Sequence, residues 1–157
     1  MAIEITNKRI NKRGREIRRF VKYLNDNYYI DHKVLLDVVD YPCVYCNNQE
    51  PAFGVFYPYY TLFKIQIAND IEFYRNRIGT GKKKIVYFVL HTIAHEIYHY
   101  FQYSVTQTTT ENWIEHYTRK ILCEYVKKCP SYTILTENYV SRDNIVEDLL
   151  VIDPSKE

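Results

Sequence analysis

The sequence predicts an α+β protein: an N-terminal helix, a small and mostly antiparallel sheet, then a long helix and a return helix, all in one domain over residues 1–157. Three observations predict it. Apolar residues recur at helical spacing near the N-terminus. Short β-branched and aromatic runs, bounded by Pro and Gly, fill the stretch from about 34 to 68. From about residue 83 the pattern turns helical again and stays so to about 128. With 157 residues, of which 46% are hydrophobic and 25% charged, the chain can bury one sizeable core, as a globular protein does.

The first element, over about residues 7–27, places Ile10, Ile17, Phe20, Val21 and Leu24 near one face. Lys8, Arg9, Lys12, Arg13, Arg15, Arg18, Arg19 and Lys22 occupy the other. Such a face is ordinarily a solvated one. It also leaves room for an acidic partner such as nucleic acid, although the net charge of only +2 and the lack of an accompanying nucleic-acid motif give that reading little support. Residues 34–41 read as a strand stopped by Pro42. Gly54–Tyr57 and Leu62–Ala68 read as two more, around the turn Pro58-Tyr59-Tyr60. Residues 70–77 read as a short helix or loop, and Gly79–Lys84 as a basic connector without the spacing of a phosphate-binding loop.

Cys43 and Cys46 have C-x-x-C spacing, but Cys123 and Cys129 are six apart, so plain thiols are expected rather than a four-cysteine zinc site. The first twenty residues are basic, with no continuous apolar stretch, and no run of about twenty apolar residues occurs elsewhere. The expectation is a cytoplasmic protein that does not enter a membrane.

The long helix, expected over about residues 83–103, carries the chemistry. Its sequence includes His95-Glu96-Ile97-Tyr98-His99, an H-E-x-x-H motif. Histidines four apart on a helix project from one face and can bind the same Zn²⁺, and the glutamate beside the first can act as a general base. Leu90, Ile93, Ala94, Ile97 and Phe101 would bury this helix. Burying two histidines and a glutamate among them is costly unless they are bonded, and a metal meets that need. His91 lies one turn earlier on the same stripe. The span from His91 to His99 is about 12 Å along the axis, too long for one ion, so His91 is read as a packing or supporting residue.

Catalytic zinc sites usually take a third protein ligand. The return helix, expected from about Thr109 to Lys128, offers Glu111, Glu115 and His116. If the first helix continues about five residues past His99, roughly 8 Å, an antiparallel return starting near Thr109 reaches the metal near Glu115. Glu111 lies close to the turn and is spaced from Thr108 as in a capping box. Thr118, three residues after Glu115, would let the helices approach. Glu115 is therefore the expected third ligand, with Glu111 and His116 as alternatives.

With these residues the chain resembles the gluzincin group of zinc metallopeptidases, in particular the compact minigluzincin, ImmA/IrrE-like and SprT-like intracellular forms. The order of elements over about residues 5–128 is similar as well. The resemblance implies a zincin-like fold and a zinc metalloendopeptidase acting on protein or peptide substrates, with Zn²⁺ held by His95, His99 and Glu115 and with Glu96 as the general base. It also implies an edge strand before the active-site helix to which extended substrate adds, here Leu62–Ala68, with Lys64, Ile65, Gln66 and Ile67 as substrate-binding residues. Tyr103, His116, Tyr117 and Arg119 are candidates to stabilise the oxyanion. Segment 131–157 is expected to hold a short helix, packed against the rest or covering the cleft with Glu147, Asp148 or Asp153 near the metal. The sequence departs from the family where E-x-x-A-[DN] is common, since Glu115 is followed by Thr118 and Arg119. Gln102 at the glycine position and no third histidine exclude the metzincin pattern. A nucleic-acid-associated regulatory protease and a non-catalytic scaffold are the competing functions.

Overall fold

The computed structural model describes residues 2–59, 62–74 and 82–129. The expected C-terminal helix and cleft-covering segment lie outside these residues. Within them the fold is α+β, with three α-helices, a four-stranded mixed sheet and a two-stranded antiparallel ribbon. No helix among the described residues is long and apolar enough to cross a membrane.

Strand β1 (Ile3–Ile5) leads to helix α1 (Gly14–Asn27), and β2 (Val34–Val39) returns parallel to β1. Ile17, Phe20, Val21 and Leu24 recur at i, i+3, i+4 and i+7 and are buried. The helix starts later than its apolar pattern suggests. Arg13 adopts a left-handed conformation (φ 57°), and its guanidinium bonds Asn69 and Glu72 beyond the sheet. The preceding segment is tied across the strand ends by Asn7 to the Val38 carbonyl and Asn11 to Asp40. The side-chain amide of Asn25 exchanges two hydrogen bonds with the Ile3 backbone, 2.9 and 3.0 Å, and so occupies part of the free edge of β1.

A ribbon of β3 (Val44–Tyr45) and β4 (Pro51–Ala52) follows. Then come β5 (Gly54–Pro58), β6 (Phe63–Ala68) and a 3₁₀ turn, Ile71–Tyr74. The strand order is β1-β2-β6-β5. The sheet is not mostly antiparallel as expected: β1, β2 and β6 run parallel, and only β5 opposes its neighbour. Crossover chain separates β1 from β2 and β2 from β6, whereas only four residues separate β5 from β6, too few for the crossover that parallel pairing needs.

Alternation along β2 and β6 places Val34, Leu36, Val38, Phe63, Ile65 and Ile67 in one core with the apolar face of α1. Helix α2 (Lys82–Thr106) completes this core with Leu90, Ile93, Ala94 and Ile97. It is buried on several sides because the sheet lies against one face and α3 (Ile114–Lys128) against another. Thr118 of α3 is fully buried, and its hydroxyl donates to the Ile114 carbonyl at 2.7 Å. The four cysteines are partly exposed thiols outside any disulfide, two flanking β3 and two on or beside α3.

Candidate metal centre

His95 and His99 project from the same face of α2, as residues four apart must. Their ring centroids are 4.9 Å apart. The carboxylate that meets them belongs to Glu111. Its Oε1 lies 2.9 Å from His99 Nε2 and its Oε2 lies 3.3 Å from His95 Nε2. One donor atom from each residue falls within 4.8 Å of the other two, so the group could hold a metal ion.

The donor set fits a divalent cation. The other ring nitrogen of His99, Nδ1, is 2.9 Å from Gln102 Oε1, an acceptor, so Nε2 is the nitrogen left to face Glu111. An imidazole nitrogen and a carboxylate oxygen at 2.9 Å call for a cation or a proton between them. His95 and His99 hold the Glu111 carboxyl well below the usual carboxylate range. Burial alone would lower the His99 pKa, but its contacts with Glu111, Glu96 and Gln102 outweigh that and raise it.

The expected position of Glu115 is corrected. Its two carboxylate oxygens each lie 3.2 Å from Nε2 of buried His91, and Oε1 also accepts from Arg119 Nε at 3.2 Å. The His91–Glu115 contact therefore repeats, one turn along the hairpin, the contact that Glu111 makes with His95 and His99. The register differs because α2 extends to Thr106 and α3 does not begin until Ile114. Residues 107–113 fold back without being helical, with positive φ at Gln107 (58°) and Trp113 (63°), and Glu111 reaches the histidines before the helix starts. The capping box expected from Thr108 and Glu111 does not form, since the residue capping α3 is Trp113. His116 is exposed beside Tyr117.

Glu96 is 6% exposed and points to the sheet side of α2. Burial raises its pKa, partly countered by His95 and His99. Gly54 of β5 lies against it: a Cβ there would come within 2.8 Å of Thr92 Cγ2 and 2.9 Å of Glu96 Cγ. A cleft of about 520 Å³ opens here, lined by Gly54, Val55, Phe56, Glu96, His99 and Glu111 among others. Tyr103 and Cys46 also line it, and burial together with Glu96 pushes the Cys46 thiol pKa up. Of the four oxyanion candidates only Tyr103 borders the cleft. Tyr117 instead stacks on Tyr98 with centroids 4.7 Å apart, and Arg119 bonds Glu115.

The expected substrate strand is corrected too. Residues of β6 pair with β2 on one side and β5 on the other, so no backbone edge is free there. Ile65 and Ile67 lie in the core, whereas Lys64 and Gln66 contact Asp37. The edge strand bordering the cleft is β5. Strand order depends on contacts distant in sequence, which local alternation does not encode.

Comparison of the chain with family models, with curated proteins and with solved structures returns no match.

Proposed function

We propose that this protein is a zinc-dependent peptidase of the gluzincin type that hydrolyses peptide bonds in protein or peptide substrates, with His95, His99 and Glu111 as metal ligands. The observation that carries the proposal is the convergence of both Nε2 atoms on the Glu111 carboxylate, beside buried Glu96, in an open cleft. A bound divalent cation supplies Lewis acidity toward water and a carbonyl oxygen there.

The chain's own residues do the rest. Glu96 takes a proton from the attacking water and returns it to the leaving amine; its burial favours the proton-bound form needed for the second step. Tyr103 donates to the oxygen on which charge develops. An extended peptide adds to the outer edge of β5, and Gly54 lets that strand approach Glu96 closely. The wall formed by Val55, Phe56 and Pro58 takes the side chains beside the scissile bond.

The basic residues at and before α1 are partly paired within the chain. Lys12 pairs with Asp70, Arg13 with Glu72 and Lys22 with Asp26, so these three cations already have acidic partners within the chain.

The test is zinc analysis of purified protein together with cleavage of an unfolded polypeptide. About one zinc per chain, lost in His99→Ala and Glu111→Ala and accompanied by cleavage, is the expected result. Wild-type protein that binds no zinc and cleaves nothing would sink the proposal.

A further inference from the structure

Gln102, one turn beyond His99, is the only residue in contact with both a proposed histidine ligand and the connection that carries Glu111, among the hydrogen bonds of the described residues. Its amide makes three of them. Nε2 donates to the Thr110 carbonyl at 3.0 Å, and Oε1 accepts from the Thr110 N–H at 3.3 Å. Oε1 also lies 2.9 Å from His99 Nδ1.

The backbone of Thr110 removes the usual ambiguity of an amide. A main-chain carbonyl only accepts and a main-chain N–H only donates, so the amide nitrogen must face the carbonyl and the amide oxygen the N–H. That oxygen then faces His99, and an oxygen without hydrogen can only accept. Nδ1 of His99 must therefore carry a proton, and Nε2 is the nitrogen aimed at Glu111. Orientation thus passes from backbone to amide to imidazole.

We infer that Gln102 is a positioning residue with two tasks: it fixes the proton of His99 on Nδ1, leaving Nε2 for the metal, and it pins Thr110 so that the adjacent Glu111 reaches the histidines. The consequence for metal binding rests on the proposed zinc site; the orientation of His99 does not. Partners of this kind to ligand histidines fix ring orientation and raise ligand basicity, and their loss weakens metal binding.

The test compares full-length wild type with Gln102→Leu and Gln102→Glu. In metal-free protein, ¹H–¹⁵N spectra of the histidine rings are expected to show a slowly exchanging His99 Nδ1–H, missing in Gln102→Leu. The Glu variant keeps an acceptor for His99 but cannot donate to the Thr110 carbonyl, so it retains the resonance. Zinc affinity, measured by chelator competition, is expected to fall roughly 10- to 100-fold in Gln102→Leu and by less in Gln102→Glu. Persistence of the resonance in Gln102→Leu, or zinc affinity unchanged from wild type in that variant, would overturn the inference. If Gln102→Leu does not fold, Gln102→Glu decides: unchanged zinc affinity there overturns the second task, and loss of the resonance overturns the first. Should wild type bind no zinc, the metal reading falls, and the ring spectra still decide the orientation of His99.

Discussion

Glu96 carries the proton chemistry of the proposed reaction, and its surroundings suit that task. Burial favours its neutral form while the two flanking histidines favour the anion, which leaves a carboxyl able to take and return a proton. Glu96→Gln keeps the shape and removes the base. It is expected to retain zinc and to lose roughly 10²–10⁴-fold in turnover, measured with a peptide substrate. The two glutamates after the turn should separate cleanly. Glu111→Ala is expected to lose the metal. Glu115→Ala should keep it and lower stability by roughly 1–3 kcal/mol in a denaturant melt, because His91 is left buried without its carboxylate. Zinc lost from Glu115→Ala and kept in Glu111→Ala would reverse the assignment. The spacing of His95, Glu96 and His99 is fixed by helical geometry and could be read from the sequence. Which glutamate joins them depends on how many residues the turn leaves outside a helix, and residues 107–113 carry no strong signal for that. Gln102 had a fainter one: three residues after His99, it must lie on the same helix face.

At the scale of elements, the contact between β5 and α2 matters most for the cleft. Gly54 brings the strand so near Glu96 that a methyl group has no room. Gly54→Ala is expected to cost roughly 1–3 kcal/mol through displacement of β5 or the Glu96 side chain. It should reduce turnover while leaving zinc affinity near wild type, since the atoms nearest to an added Cβ belong to Thr92 and Glu96 and not to a proposed metal ligand. Unaltered turnover and stability would show that the strand can retreat freely. The helices and the strands β2, β5 and β6 were legible because each is long enough to show its period. Strand β1 was not, for Ile3-Glu4-Ile5 is too short for alternation to stand out, and its pairing is set by α1 returning the chain beside it. The late start of α1 also escaped a periodic reading, because Arg13 leaves helical geometry for partners more than fifty residues away.

Across the whole molecule, two sets of polar contacts bear on stability. One is the cluster of Arg13, Lys12, Glu72 and Asn69, which fastens the start of α1 to the 3₁₀ turn after β6. Partial burial alone would raise the Glu72 pKa, but bonding to Arg13, aided by Lys12, holds it below its usual value. A depressed folded-state pKa stabilises the fold above the unfolded value of about 4.3, and that contribution disappears as pH falls through the folded value. Arg13→Met is expected to lower stability at neutral pH by about 2 kcal/mol and to flatten its dependence on pH in the acid range, as followed by thermal melts. An unchanged acid limb would detach Glu72 from this role. The other set is the proposed metal centre. Added zinc should raise the melting temperature by mass action, about 2.7 kcal/mol at one hundred times the dissociation constant, and a chelator should reverse the rise.

The two halves of the site differ in how far along the chain they must be gathered. Glu111 follows His99 by 12 residues, so the ligand set closes a short loop within the α2–α3 hairpin. Gly54, against which Glu96 rests, precedes that glutamate by 42 residues and is held by the sheet. Short closures cost less chain entropy than long ones and form sooner. If the proposed site binds its ion, a chain whose sheet has loosened would still chelate it with the hairpin while having no groove in which to seat a peptide. On the proposed function, metal content and proteolytic competence are separable, and zinc content by itself would not report a working enzyme.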